Sequence, residues 1–129
     1  MLDFVCYREF PSLIDQFSVE SLDSSWKTSL PEVIPGGTPQ RYIELFRNIA
    51  KRTAFLVSEW IRVGYVQGNM NSDNTLVGGR TVDYGPYGWM EKFDPEYQPF
   101  TSDPVGRFNF LNQPEAMGLN VAVLGKTSI

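Results

Sequence analysis

The stretch from residue 39 to residue 63 constrains this chain most. Tyr42, Leu45, Phe46, Ile49, Thr53, Leu56, Trp60 and Val63 recur there at three- and four-residue spacing. That is the period of a helix with one buried face. Lys51, Arg52 and Glu59 fall elsewhere on the wheel. Thr38 stands where an N-cap belongs. Pro39 suits the first helical position, because its missing N–H has no partner to lose there. Gly64 marks the exit. The pattern predicts a long core helix.

The flanking segments are shorter and less regular. Residues 2–10 read as a helix with Leu2, Val5 and Cys6 on one face, ended by Pro11. A second helix is expected over 13–22, started by Ser12 with Asp15 three residues on. Residues 23–37 are polar and close on Pro35-Gly36-Gly37, which reads as a loop. Residues 65–74 form an Asn-rich polar loop. Thr75-Leu76-Val77 and Arg80-Thr81-Val82 then flank Gly78-Gly79. Two β-prone runs around a Gly-Gly pair predict a tight hairpin over 75–82 with a primed turn. After Asp83 the chain turns irregular, and a last helix opens at Pro114, carrying Leu119, Val123 and Leu124. The fold class expected is α+β, mainly helical, with one small hairpin. At 129 residues it amounts to one domain at most.

Several function classes are excluded by what is missing. The chain has no His, so it holds neither a Ser–His–Asp triad nor a His-ligated zinc. Its one Cys, Cys6, allows no intrachain disulfide and no CxxC site; it reads as a small buried hydrophobe. A net charge of −4 argues against a nucleic-acid partner. The apolar runs are too short for a membrane span, and MLDFVCYREF does not read as a signal or transit peptide. An anionic substrate would need a bound cation to offset the acidic balance.

One constellation carries chemistry. Asp73 and Asn74 end the Asn-rich loop, and Asp83 follows the hairpin directly. A hairpin brings its two ends together, so three oxygen-bearing side chains converge at its open end. Hard divalent cations take such ligands, often one or two protein groups plus phosphate oxygens. A solvated hairpin end is the plain alternative for the same residues. An EF-hand fails, because its sixth and twelfth positions would be Asn74 and Arg80 rather than Gly and Glu. Helix, Asp/Asn loop, hairpin and Asp-aromatic-Gly follow the order of a protein kinase's catalytic half. Here, however, Asp73 and Asn74 are adjacent, and the His-Arg-Asp triplet is missing.

The local sequence is more specific. Gly68-Asn69-Met70-Asn71-Ser72-Asp73-Asn74, followed by Thr81-Val82-Asp83-Tyr84-Gly85-Pro86-Tyr87-Gly88, resembles the selenoprotein O family, including the ten-residue step between the two aspartates. Phe93-Asp94-Pro95, Ser102-Asp103 with Gly106-Arg107-Phe108, Asn112-Gln113-Pro114 and Leu119-Asn120-Val121 extend the likeness. Leu2-Asp3-Phe4-Val5 and Phe10-Pro11 match it loosely upstream.

The resemblance implies a protein-kinase-like fold and a protein adenylyltransferase. Such an enzyme binds ATP in a flipped orientation and moves AMP to Ser, Thr or Tyr hydroxyls of proteins with Mg²⁺ or Mn²⁺. By the same resemblance Asp73 is the catalytic proton acceptor. Asn74 and Asp83 hold the metal, and Asp83 also lies against the nucleotide phosphates. The compartment implied is the cytoplasm in a bacterium and the mitochondrion in a eukaryote. The family's usual His before the loop Gly is Gln67 here, and its Trp before Asn120 is Leu119. Arg107 could pair with a carboxylate or face phosphate, and the structural pairing is favoured. The small lobe's Gly-rich loop, Lys strand and Glu helix have no counterpart in residues 1–129. The chain therefore reads as a partial kinase-like catalytic domain, the large-lobe core. A non-catalytic binding module is the alternative function.

Overall fold

The structure is a computed structural model and describes residues 1–17 and 39–128. Thr38 as a cap, the helix over 18–22 and the loop over 23–37 lie outside the described residues. The chain divides into two compact units, Met1–Asn48 and Ile49–Ile129.

In the first unit, helix α1 spans Leu2–Glu9. It ends where Phe10 leaves helical geometry while its N–H still donates to the Cys6 carbonyl at 3.0 Å. Pro11, rather than Ser12, opens helix α2, Pro11–Phe17. A proline at the first position loses no hydrogen bond, so it separates the two helices and starts the second. The long helix α3, Pro39–Arg62, begins in this unit. Cys6, Phe10, Leu13, Ile14 and Leu45 are buried. Burial pushes the Cys6 thiol up, against the pull of Arg41, so it stays protonated and inert. Arg41 is 2 % exposed, and its guanidinium lies 3.3 Å from an Asp3 oxygen. The Tyr42 hydroxyl is 3.0 Å from each Asp3 oxygen. A buried cation needs such a partner, since an isolated one is expensive to desolvate.

In the second unit α3 buries Ile49, Thr53 and Val57, one turn apart. The Thr53 hydroxyl donates to the Ile49 carbonyl at 2.9 Å, which lets a polar side chain sit in the apolar stripe. The expected stripe drifted at its end: Val63 is 46 % exposed, while Val57 is in the core. Past Arg62 come strand β1 (Tyr65–Val66), a 3₁₀ turn (Ser72–Asn74), β2 (Thr75–Leu76), β3 (Arg80–Thr81) and β4 (Gly88–Trp89). A second 3₁₀ turn (Phe110–Asn112) runs into helix α4 (Gln113–Ser128). Val57, Met70, Phe108, Ala116 and Met117 form one core cluster, with Trp60 and Ile61 packed on it. The loop bearing Met70 is thus anchored by its one apolar side chain. On α4, Leu119 and Val123 are exposed, and Gln113, Ala116 and Met117 face inward instead.

The hairpin forms, with a different turn. Thr75 pairs with Thr81 and Leu76 with Arg80, so Val77, Gly78 and Gly79 make a three-residue loop rather than a primed two-residue turn. Gly79 closes it at φ +77°, the left-handed residue such a loop requires. It also lies against α3: a Cβ there would come within 2.6 Å of the Arg52 Cβ. Helix contact and backbone sign together select glycine at this position. The expectation of a single hairpin is corrected by a second two-stranded ribbon, β1 with β4, antiparallel. Its partners are 22 residues apart or more, which local turn signals do not register. Among the described residues no helix is long and apolar enough to cross a membrane.

Candidate active site

The hairpin's open end is closed by backbone and hydroxyl bonds. The Val82 N–H donates to the Asn74 carbonyl at 3.2 Å, and the Thr81 hydroxyl lies 3.0 Å from the same oxygen. These bonds bring Asn74 to Asp83. The Asn74 side-chain amide donates to Asp83 Oδ2 at 3.2 Å, and the Asn69 amide reaches the same oxygen at 3.2 Å. The other carboxylate oxygen, Oδ1, accepts from the Gly85 N–H at 2.8 Å. Asp83 is half-buried, whereas Asp73, on the 3₁₀ turn beside Asn74, is exposed. The Asp73 carboxylate accepts no hydrogen bond from the described residues.

The loop before this turn is fixed from three sides. Asn120 on α4 donates to the Met70 carbonyl at 2.7 Å. The Gln67 N–H donates to Gln113 Oε1 at 3.0 Å, and Gln113 Nε2 donates to the Tyr65 carbonyl at 2.9 Å. Gly68 turns at φ +64°, with the Pro86 carbonyl so close that a Cβ would lie 1.9 Å from its oxygen. The loop carrying Asn69 and the segment following Asp83 therefore pass in direct contact.

Gln67 is 1 % exposed and its side chain is fully engaged. Its amide donates to the Thr81 hydroxyl at 3.0 Å and to the Asp83 backbone carbonyl. Its oxygen accepts from the Tyr65 hydroxyl at 2.7 Å. Tyr65 is buried among Trp60, Tyr87 and Trp89, with ring centroids 5.1 to 5.9 Å away. Burial first, then the charges of Tyr84, Tyr87 and Asp83, push its phenol up to about 12. Tyr65 thus remains a donor at neutral pH.

Asn69, Gln67, Gln113 and Asn120 were not singled out as site residues by spacing. Asn69, Gln113 and Asn120 did stand inside the quoted motifs, which was the signal available for them. Arg107 does not make the carboxylate pair expected of it among the described residues. It is exposed, with its guanidinium carbon 5.3 Å from the Phe108 ring centre. Asp103 instead ties its own turn, accepting from the Phe108 N–H at 2.9 Å and the Gln98 amide at 2.8 Å.

The donor set suits a hard cation that keeps other ligands. Asp83 and Asn74 both carry side-chain oxygens and meet through the Asn74 amide, while no group of three or more His, Cys, Asp or Glu that could hold a metal occurs among the described residues. A cage built from three or more His, Cys or carboxylate side chains is thus absent among the described residues. Mg²⁺ and Mn²⁺, which take one or two carboxylate or amide oxygens plus phosphate and water, fit these residues.

Comparison with known proteins places these observations in a family. A protein nucleotidyltransferase YdiU of Corynebacterium glutamicum (strain R) is 36 % identical over 127 residues, covering 98 % of this chain and 23 % of its own length. Its namesake in Xanthomonas oryzae pv. oryzae (strain PXO99A) is 36 % identical over 126 residues, 97 % of this chain and 20 % of its own. The one in Aromatoleum aromaticum is 38 % identical over 126 residues, 96 % of this chain and 20 % of its own. The chain therefore spans between a fifth and a quarter of the length of these curated relatives. The family model described as protein adenylyltransferase SelO matches residues 1–128, and the chain belongs to that family.

Proposed function

We propose that this chain supplies the metal-holding and proton-accepting part of a protein adenylyltransferase with a kinase-like large lobe. The observation that carries this is the meeting of Asn69, Asn74 and Asp83 on one carboxylate oxygen, beside an exposed Asp73. ATP is the nucleotide, and the acceptors are protein Ser, Thr or Tyr hydroxyls. Family membership and the relatives' names support transfer of a nucleotidyl group.

In this reading Asp83 and Asn74 hold Mg²⁺ or Mn²⁺. The ion supplies charge neutralisation on the nucleotide phosphates. Asp83 is held in place, because both its oxygens already receive N–H donors. Asp73 lies free of such bonds and is available to a substrate proton. The acceptor oxygen bonds to the α-phosphorus, the bond from that phosphorus to the bridging oxygen breaks, and pyrophosphate leaves. The hydroxyl proton goes to Asp73. A positioned base of this kind contributes about 10²–10⁴-fold.

Mn²⁺ titration of the purified chain, read by the electron paramagnetic resonance of free Mn²⁺, tests the metal assignment. Binding that disappears in Asp83→Asn agrees with it. Equal binding by wild type and Asp83→Asn contradicts it.

A further inference from the structure

Gln67 stands where the resemblance expects His, and its side chain reaches Asp83 from behind. Both protons of its amide go to the hairpin's exit, one to the Thr81 hydroxyl and one to the Asp83 carbonyl. The Asp83 N–H in turn points to the Thr81 hydroxyl oxygen at 3.4 Å. Asp83 is therefore held at its carbonyl by Gln67, at its N–H by Thr81 and at its carboxylate by Asn69, Asn74 and Gly85. Of these, the carbonyl bond is made by a side chain that is buried and touches no open face of the site.

We propose that Gln67 is a positioning residue, whose grip on the Asp83 backbone carbonyl sets where the Asp83 carboxylate meets Asn69 and Asn74. The proposal rests on the metal-site reading above only for its consequence, not for its geometry. A buried amide with no partner is costly to keep, so the pocket itself enforces the bond. Tyr65 completes it: its hydroxyl occupies the Gln67 oxygen, which leaves the amide end facing Thr81 and Asp83. The family's usual His has one N–H when neutral, whereas Gln67 brings two donors that do not titrate.

The test uses ¹⁵N-labelled chain in three forms: wild type, Gln67→Leu and Gln113→Leu. Gln113 is equally buried and also holds the loop, but bonds the Gln67 backbone rather than Asp83. The readouts are the side-chain amide signals of Asn69 and Asn74, the Gly85 amide signal and Mn²⁺ affinity. In Gln67→Leu the three signals should move toward solvent-exposed values, and Mn²⁺ affinity should fall about tenfold, the scale of one lost buried hydrogen bond. Gln67→His should recover part of both. Gln113→Leu should lower the melting temperature while leaving those signals near wild type.

Unchanged Asn69, Asn74 and Gly85 signals in Gln67→Leu would overturn the proposal. So would signals that move only together with those of α3 in both leucine variants, which describes a merely structural role. Should leucine leave too little folded chain, Gln67→Glu keeps the size and the Tyr65 bond but removes the amide donors, and the same outcomes apply. If wild type takes up no Mn²⁺ yet the signals still respond to Gln67→Leu, positioning stands and the metal reading fails.

Discussion

Asn74 Nδ2 lies 3.2 Å from Asp83 Oδ2, across the open end of a hairpin that contains every residue between them. The sequence interval between these two is filled by two short strands, a three-residue loop and Val82, so its length cannot change without parting them. Gly79 sets that length. Gly79→Val should lower stability by more than the roughly 1–2 kcal/mol of a left-handed non-glycine residue, because its Cβ would also meet Arg52 at 2.6 Å. Thermal unfolding followed by circular dichroism reads this directly. An unchanged melting temperature would contradict the close approach.

Asn120 ties helix α4 to the loop through the Met70 carbonyl. Asn120→Leu should cost about 1–3 kcal/mol, the range for stranding a polar group of this kind. Met70 itself is 2 % exposed in the core cluster, and Met70→Ala should cost about 2–5 kcal/mol. Urea unfolding of both variants checks the order. A smaller loss in Met70→Ala than in Asn120→Leu would mean that the loop is held by hydrogen bonds rather than by packing.

Tyr65 gives the chain an alkaline limit. Its phenol is raised to about 12 in the folded chain and sits near 10 when unfolded. Below about pH 10 both states keep the proton and this group adds no pH dependence. As pH climbs from about 10 to about 12, the unfolded chain releases the proton first, so stability falls. Tyr65→Phe should flatten that fall while costing about 1–3 kcal/mol at neutral pH, because Gln67 Oε1 loses its donor. Urea midpoints between pH 8 and 11 separate the two effects.

The local devices were legible from sequence. The 3.6-residue stripe from Tyr42 to Trp60 marked α3, Gly64 its exit, and the Gly-Gly pair the hairpin. Asn74 and Asp83 followed from hairpin closure alone. What sequence did not yield depends on contacts between distant segments. The β1–β4 ribbon joins Tyr65 to Trp89, and no turn signal spans that gap. The turn's first residue, Val77, looked like strand, because nothing in its own chemistry says that Gly79 must press on Arg52. Gln67 read as a departure from a motif. Its role became visible once the fold placed it under Thr81 and Asp83.

The two aspartates should fail in different ways in a longer relative. At the position of Asp73, replacement by Asn should leave Mn²⁺–ATP binding largely intact and slow transfer by about 10²–10⁴-fold. At the position of Asp83, replacement by Ala should lose both. Equal loss of nucleotide binding in the two variants, measured by equilibrium dialysis, contradicts their separate roles.

The 129-residue chain by itself should transfer little. In the proposed reading Asn74 and Asp83 would hold a cation from one side, and catalysis of this type is almost entirely positioning and charge stabilisation. One misplaced contact already costs about 10²-fold. Incubation with Mn²⁺, labelled ATP and a generic protein acceptor checks this. Asp83-dependent label on protein at a rate matching a longer relative would show that residues 1–129 form the whole active unit.

The most direct test of the account follows the position of the label. A longer relative, such as the Corynebacterium glutamicum protein, is incubated with Mn²⁺, a hydroxyl-bearing protein and ATP labelled at either the α- or the γ-phosphate. Label should reach the protein from the α-phosphate only, and be lost when the aspartate aligned with Asp83 becomes Ala. Label arriving from the γ-phosphate, or transfer that survives loss of that aspartate, would contradict it.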